Sequence, residues 1–439
     1  MASSAVWKVL GASLLTTVGS LPVFLLATQS VPVRRDLGFG EERFGMAVAA
    51  FFTAASLVAI VGGGVADRVG PRASTMIAGA LSTAGGVGVA LVARGWLTLV
   101  ICMLVLGSAN AAHQLTANLA MSRSIPAHRR GIGFGVKQSA VPVAIVLAGL
   151  AVPTMTSQLG WRSTYWTLGG VGAVVVLAGL LAPGRNHSAA TPAPGAGPDS
   201  PPVRTLLVVA AAIALGSAAA NSMGSFIASW GFEVGLTPSQ AGGLVAAGSA
   251  LNVVGRLLMG QLADRRHGRN LPVVANQMAV GGVALLAVSL PGVASYVTAS
   301  LVAFGIGWSW PGLFLFAVAR VGREAPAKAS GYVQAGAFFG GATGPLLFGF
   351  AVDAFGYETS WRLAAVAFFA AAGLVLLSRR MFLTDLVARP PRVQLGYGGG
   401  REQPRWTTAD QWQERESAGQ RRDSGALSEV TCGYDDHSR

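Results

Sequence analysis

Apolar residues run along this chain in long blocks without two-residue alternation, and short polar turns separate the blocks. Windows of about 20 residues, the length a helix needs to cross lipid, place these blocks near 7–31, 44–66, 73–93, 96–120, 132–156, 163–182, 205–230, 240–263, 271–290, 294–319, 329–352 and 360–378. Twelve transmembrane helices are predicted, six in each half, in an all-α membrane protein. Pro22, Pro142, Pro311 and Pro345 fall inside blocks, where neighbouring helices can satisfy the backbone groups a proline frees. A membrane barrel would show short alternating segments instead. The first block starts close to Met1 and lacks a small-residue cleavage site, so it reads as a retained helix and not as a signal peptide.

The turns repeat. The stretch Gly63-Gly64-Val65-Ala66-Asp67-Arg68-Val69-Gly70-Pro71-Arg72 has a near-copy at Gly260-Gln261-Leu262-Ala263-Asp264-Arg265-Arg266-His267-Gly268-Arg269, with Asp67 and Asp264 197 residues apart. Gly38 and Gly45 match Gly235 and Gly242 at that interval, Gln138 matches Gln334 at 196, and Trp161-Arg162 matches Trp361-Arg362 at 200. Concordant spacing at separate landmarks marks an internal duplication. The halves are 1–182 and 204–378, and the Pro-rich 183–203 that joins them cannot be a helix. After Arg379-Arg380 the chain turns polar and Gly-rich, so 379–439 is expected to be a disordered tail.

Composition agrees with a bilayer: at 52% hydrophobic and 12% charged, the chain has too few ionisable residues to cover a water-exposed surface of 439 residues. The formal charge of +13 has a topological origin. Lys and Arg number 14 at one set of helix ends and 6 at the other. By the positive-inside rule the first set, with both termini and the Pro-rich loop, faces the cytoplasm of a cell membrane. From Arg379 onward the tail holds 10 basic and 9 acidic residues, which argues against a nucleic-acid partner. Cys102 and Cys432 are placed too far apart for a disulfide. Metal-ligand spacings and nucleotide-binding loops are absent from the sequence, so no metal, no cofactor and no enzymatic reaction is expected.

Gly63, Asp67, Arg68, Gly70 and Arg72 match position by position the Gly-x-x-x-Asp-Arg-x-Gly-x-Arg signature between the second and third helices of the major facilitator superfamily. The second copy keeps Gly260, Asp264, Arg265 and Gly268, followed by Arg269, with a shift of one position from the family spacing at its end. The chain thus resembles that superfamily of secondary transporters over about residues 6–380, which implies two pseudo-symmetric six-helix bundles rocking about a central site. In physical terms, an Asp flanked by Arg and by glycines that permit close helix approach can latch the bundles together and bias one state over the other. Two departures stand out. Met103 occupies the position where many proton-coupled members carry an Arg four residues before the Gly, here Gly107. Ser139-Ala140-Val141-Pro142 keeps only the proline of the Gly-Pro signature of drug antiporters.

Ionisable residues inside lipid are costly and usually face a cavity. Arg256 precedes Asp264 by eight residues, about 12 Å deeper along its helix, and Lys137 lies one to two turns into the fifth block. Asp and Glu are absent from the block interiors, so the cavity is expected to be electropositive. An anionic substrate would supply the counter-charge, and a carboxylate suits the guanidinium fork. The alternatives are pairing of Arg256 with backbone carbonyls and snorkelling of Lys137 to the interface. Arg256-Leu257-Leu258-Met259-Gly260 also resembles the eighth-helix Arg-x-x-x-Gly of monocarboxylate and oxalate/formate-type transporters, a likeness that implies substrate contact by Arg256.

Supporting polar candidates are Asn110, His113 and Gln114 at i, i+3, i+4 spacing, Asn221 with Ser225, Asn252 one turn before Arg256, and Gln334. His113 is a candidate proton carrier because its charge can change near neutral pH. Phe24, Trp308 and Trp310 are candidates to line the cavity. The expected function is alternating-access transport of a small organic anion by a monomer, through proton symport or exchange. An exporter of drugs or metabolites and a non-transporting membrane sensor are the competing readings.

Overall fold

The computed structural model describes residues 2–121, 135–181, 200–265, 270–323 and 326–389, and is helical throughout them apart from short turns. Its membrane-spanning stretches are Val9–Thr28, Glu41–Ala59, Arg72–Val92, Trp96–Ala117, Gly135–Leu159, Arg162–Leu181, Val203–Glu233, Pro238–Ala263, Asn270–Val288, Val293–Val321 and Gly331–Ala388. The last stretch is 58 residues long and holds two crossings, because Gly356 breaks it at φ 77°, ψ 171°. Gly160, between the fifth and sixth spans, adopts nearly the same angles, φ 80° and ψ 160°. Glycine takes this positive-φ conformation freely where other residues are strained, so the duplication is visible in the backbone at matching turns. Twelve spans follow the predicted blocks in order. An even number brings both ends of the described chain to one face, here termed the near face; the turns after the first, third and fifth spans lie on the far face.

Two seams join the bundles and are copies of one another. The second span packs on the eleventh, where a Cβ on Gly45 would come within 2.5 Å of the Pro345 carbonyl oxygen. The fifth packs on the eighth, where a Cβ on Gly149 would come within 2.6 Å of the Gly242 carbonyl oxygen. Gly45 and Gly242 occupy the same repeat position, as the pseudo-twofold relation requires. At the far face Ser30 and Ser229 join the first and seventh spans through their hydroxyls at 2.7 Å. Phe44 and Phe226 meet edge to face across the same gap, with centroids 5.2 Å apart.

The twelfth span corrects the expected start of the tail at 379, since its helix runs to Ala388. Arg379-Arg380 does not end it. Asp385 pins the extra turns: Arg323 Nη2 lies 2.8 Å from Asp385 Oδ2, and Arg389 Nη2 lies 2.6 Å from Oδ1. The rest of the expected tail, 390–439, and most of the Pro-rich loop, 182–199, lie outside the described residues.

Within the N-terminal bundle the fourth span lies directly on the second, and a Cβ on Gly107 would sit 2.0 Å from the Phe51 carbonyl oxygen. Backbone must move to admit it. Gly107→Ala should therefore lower stability by about 1–3 kcal/mol through overpacking, read as earlier thermal unfolding in detergent. Gly373→Ala, whose Cβ meets nothing within 4 Å, should leave unfolding unchanged or slightly later. Identical unfolding of the two variants would contradict this packing.

Candidate functional site

The middle of the tenth span is irregular. Its α-helix ends at Val302, a wider π turn covers Ala303–Gly307, and the helix restarts at Trp310, which leaves carbonyl groups in mid-membrane outside a regular ladder. Such groups must be satisfied by neighbours. The eighth span supplies two donors one turn apart: Asn252 Nδ2 donates to the Phe304 carbonyl, and Arg256 Nη2 donates to the Trp308 carbonyl at 3.1 Å. A third freed carbonyl belongs to the fifth span. Pro142 has no N–H to give to Gln138 one turn earlier, and Arg256 Nη1 donates to that carbonyl instead. Arg256 thus bridges the two bundles at the centre of the molecule.

Around it lies a cavity of about 130 Å³. Lys137 and Gln138 of the fifth span, Asn110 and Gln114 of the fourth, Asn221 of the seventh, Arg256 of the eighth and Gln334 of the eleventh line it. Among the described residues its lining contains two cationic side chains and no Asp or Glu. Among the described residues no carboxylate pairs with Arg256, and its Nε is buried without a hydrogen-bond partner. Phe24 and Trp308, from opposite bundles, meet edge to face with centroids 6.3 Å apart and wall the cavity on the far side. Toward the near face it continues into an apolar groove of about 640 Å³ between the second and eleventh spans, which shares Gln334 and Phe338 with it. The bundles are therefore shut at the far face, with the site reached from the near half.

Six of the eight expected substrate residues meet in this cavity: Arg256, Lys137, Asn110, Gln114, Asn221 and Gln334. Two do not. His113 is buried inside the N-terminal bundle, where its Nε2 lies 2.9 Å from the Ser82 hydroxyl of the third span. At about 100° per residue, Gln114 falls about 40° to one side of Asn110 and His113 about 60° to the other, so the shared stripe divides between cavity and core. His113 is thereby removed as a proton carrier at the cavity. Asn252 is engaged by the Phe304 carbonyl and serves the irregular tenth span. Phe24, Trp308 and Trp310 line the cavity as expected candidates. Gln138 lines it too, having been singled out in the sequence only as a repeat landmark; Pro142 four residues on was the signal that its carbonyl would seek a donor. Ser20 and Ser217 also line it, and nothing in the sequence distinguishes them.

Gly63, Asp67, Arg68, Asp264, Arg265 and Arg269 of the repeated turn lie outside the residues whose side-chain surroundings are described. Gly70 breaks the helix between the second and third spans at φ 76°. Arg72 Nη2 donates to the Leu180 carbonyl at 2.8 Å, holding the end of the sixth span in its own bundle. Gly260 is buried at the seam, where its Cα would lie 3.6 Å from a Cβ on Gly135 of the fifth span.

The model of the family described as Major Facilitator Superfamily matches residues 9–332. A chloramphenicol resistance protein of Streptomyces lividans is 28% identical over 333 residues, which are 74% of this chain and 83% of that protein. A probable sulfoacetate transporter of Cupriavidus necator, SauU, is 28% identical over 141 residues, 32% of this chain and 32% of that protein. Among solved structures, a bacterial homolog to the human lysosomal transporter Spinster, inward-facing and unoccupied, is similar with a TM-score of 0.67 at 15% identity, over 87% of this chain and 98% of that one. At that identity the likeness speaks for the fold. Two duplicated six-helix bundles closed at one face over a central polar cavity, together with the match along most of the chain, establish that this multi-pass membrane protein belongs to the Major Facilitator Superfamily of transporters.

Proposed function

We propose that the chain is an alternating-access secondary transporter of a small organic anion, a carboxylate in the first place, moved by proton symport or exchange. One observation carries this reading: among the described residues the central cavity is lined by Lys137 and Arg256 and by no Asp or Glu. Burying the Arg256 guanidinium with no carboxylate beside it among the described residues is unfavourable by several kcal/mol, and an anion entering the cavity relieves that penalty. Arg256 has its Nε unpartnered, beside two terminal nitrogens held by carbonyls. An incoming carboxylate finds a donor there already oriented. Asn110, Gln114, Asn221 and Gln334 supply neutral polar contacts from both bundles, the arrangement needed to sense which way the bundles lean. The name of the sulfoacetate relative is in keeping with an organic anion. The working unit in this reading is a monomer, because residues of both bundles of the chain wall the cavity. The excess of basic residues at the near-face ends supports a cytoplasmic near face and a cell-membrane location; the structure then corresponds to the inward-facing state.

The name of the chloramphenicol resistance relative favours a second reading, export of a drug or metabolite. The 130 Å³ cavity is small for such a compound; the adjoining 640 Å³ groove would have to accommodate much of it.

Uptake of labelled carboxylates into proteoliposomes, with and without an imposed proton gradient, separates the two. Arg256→Ala should abolish anion uptake. Because that change also orphans the Gln138 and Trp308 carbonyls, Arg256→Lys is the sharper variant: it keeps the charge, loses the fork, and should weaken apparent affinity by about tenfold or more. Lys137→Gln should fold normally and weaken affinity by about tenfold. Unchanged affinity in both conservative variants would remove the cations from substrate binding, and chloramphenicol efflux without carboxylate uptake would establish the second reading.

A further inference from the structure

The closed far face contains a buried acid that the cavity does not use. Glu41 begins the second span and is buried. Its Oε1 lies 2.7 Å from Arg34 Nη2 of the same bundle and accepts the hydroxyl hydrogen of Tyr357, which comes from the opposite bundle. The Tyr357 ring in turn stacks on Trp230, with centroids 5.2 Å apart. Next to it the Glu42 backbone N–H donates to Asp353 Oδ2 at 3.0 Å. The backbone is equally tight, since a Cβ on Gly349 would come within 2.8 Å of the Glu41 carbonyl oxygen. The other oxygen of the carboxylate, Oε2, is buried with no hydrogen-bond partner.

An ionised oxygen sealed from water without a donor is far more costly than an unpartnered hydroxyl in the same place. Arg34 belongs to the same bundle as Glu41 and stays with it when the bundles part, so it does not distinguish open from closed. Tyr357 favours the charged form in the closed state. Against it stand the loss of water from Oε2 and the negative charges of Asp353 and Glu233, both brought up by the opposite bundle. Arg35, the other nearby cation, lies over the Phe232 ring at 4.9 Å and not on Glu41. Closing therefore brings dehydration and like charge to a carboxylate that has water when open. By linkage, a group that binds a proton more tightly in one conformation draws the protein toward that conformation when the proton binds.

We infer that Glu41 is a proton-binding site whose occupation closes the far gate, so that one proton is taken up with each swing from far-open to near-open. The inference deepens the transport reading and rests on its alternation between two states. It gives the proton a place in a chain where Met103 stands at the family's Arg position and His113 faces the core.

The test reads the gate and not the substrate. In the full chain carrying Cys102→Ala and Cys432→Ser, nitroxide labels at the exposed far-face positions Gln158 and Val293, each changed to Cys, report the separation of the bundles by double electron–electron resonance in lipid nanodiscs without substrate. From about pH 8 to about pH 5.5 the short-distance population should grow, with a closed-to-open ratio rising about tenfold. Glu41→Gln should remain predominantly short at both pH values. Asp353→Asn should keep the pH response. A pH-independent distance distribution in the unsubstituted gate overturns the inference even if Glu41→Gln fails to fold. So does a Glu41→Gln protein that still responds to pH, which would place the proton at another group. Intact carboxylate uptake alongside a pH-independent gate would sink this site alone and leave the anion reading standing.

Discussion

The centre of this molecule depends on one guanidinium satisfying backbone that two bundles cannot satisfy for themselves. Pro142 deprives Gln138 of its helical donor, and the irregular turn Ala303–Gly307 leaves Trp308 outside a ladder. Arg256 donates to both carbonyls. In hydrocarbon each unsatisfied carbonyl would cost several kcal/mol, which explains why a cation is tolerated at this depth without an acid beside it. The breaks that require the arginine are also what makes room for a cavity. Irregular backbone at membrane depth survives only where protein or a water-filled space lies against it.

The duplication converts this local need into a mechanism. Gly45 and Gly242, one repeat apart, set the second span on the eleventh and the eighth on the fifth at backbone contact. Small residues at both seams let rigid bundles roll over one another with little side-chain interdigitation. The far gate adds direction: Ser30 with Ser229 and Glu41 with Tyr357 join the bundles at that face, and under the proposed alternation these bonds would be made in only one of the two tilts. Contacts of that kind set the balance between states.

Much of this was legible in the sequence, and the illegible part has identifiable causes. Apolar block length located the spans, and recurrence of Gly, Asp-Arg and Trp-Arg at near-constant intervals located the duplication. Depth along a helix was enough to place Arg256 and Lys137 at a cavity, because a charge in lipid has few other places to go. Finer orientation failed where two residues of one apparent stripe lie about 100° apart, as His113 and Gln114 do. It failed again for Asn252, whose role depends on an irregular turn in another span. The end of the twelfth span was misplaced because Asp385 is held by Arg323, 62 residues away. Nothing in the sequence marks Glu41, and only the packing of Tyr357, 316 residues distant, shows that it is sealed.

The same arginine offers a physical route from binding to movement. Its bond to the Gln138 carbonyl is a polar link between the bundles at cavity depth, and it uses one terminal nitrogen of the guanidinium. A carboxylate is a stronger acceptor for a guanidinium than a neutral carbonyl, by roughly a factor of two for charge-assisted pairs. An anion that engages Nε and an adjacent nitrogen competes with Gln138 for the same group, and the fifth span then loses its hold on the eighth. Gln138 can be released only if its carbonyl finds another donor, and Asn110 and Gln114 line the same cavity. Binding energy would then be spent on loosening one seam while the far gate holds, which is the differential interaction that any ligand-driven change of state requires. A neutral solute could fill the cavity without displacing that bond, and would leave the balance between tilts where it was.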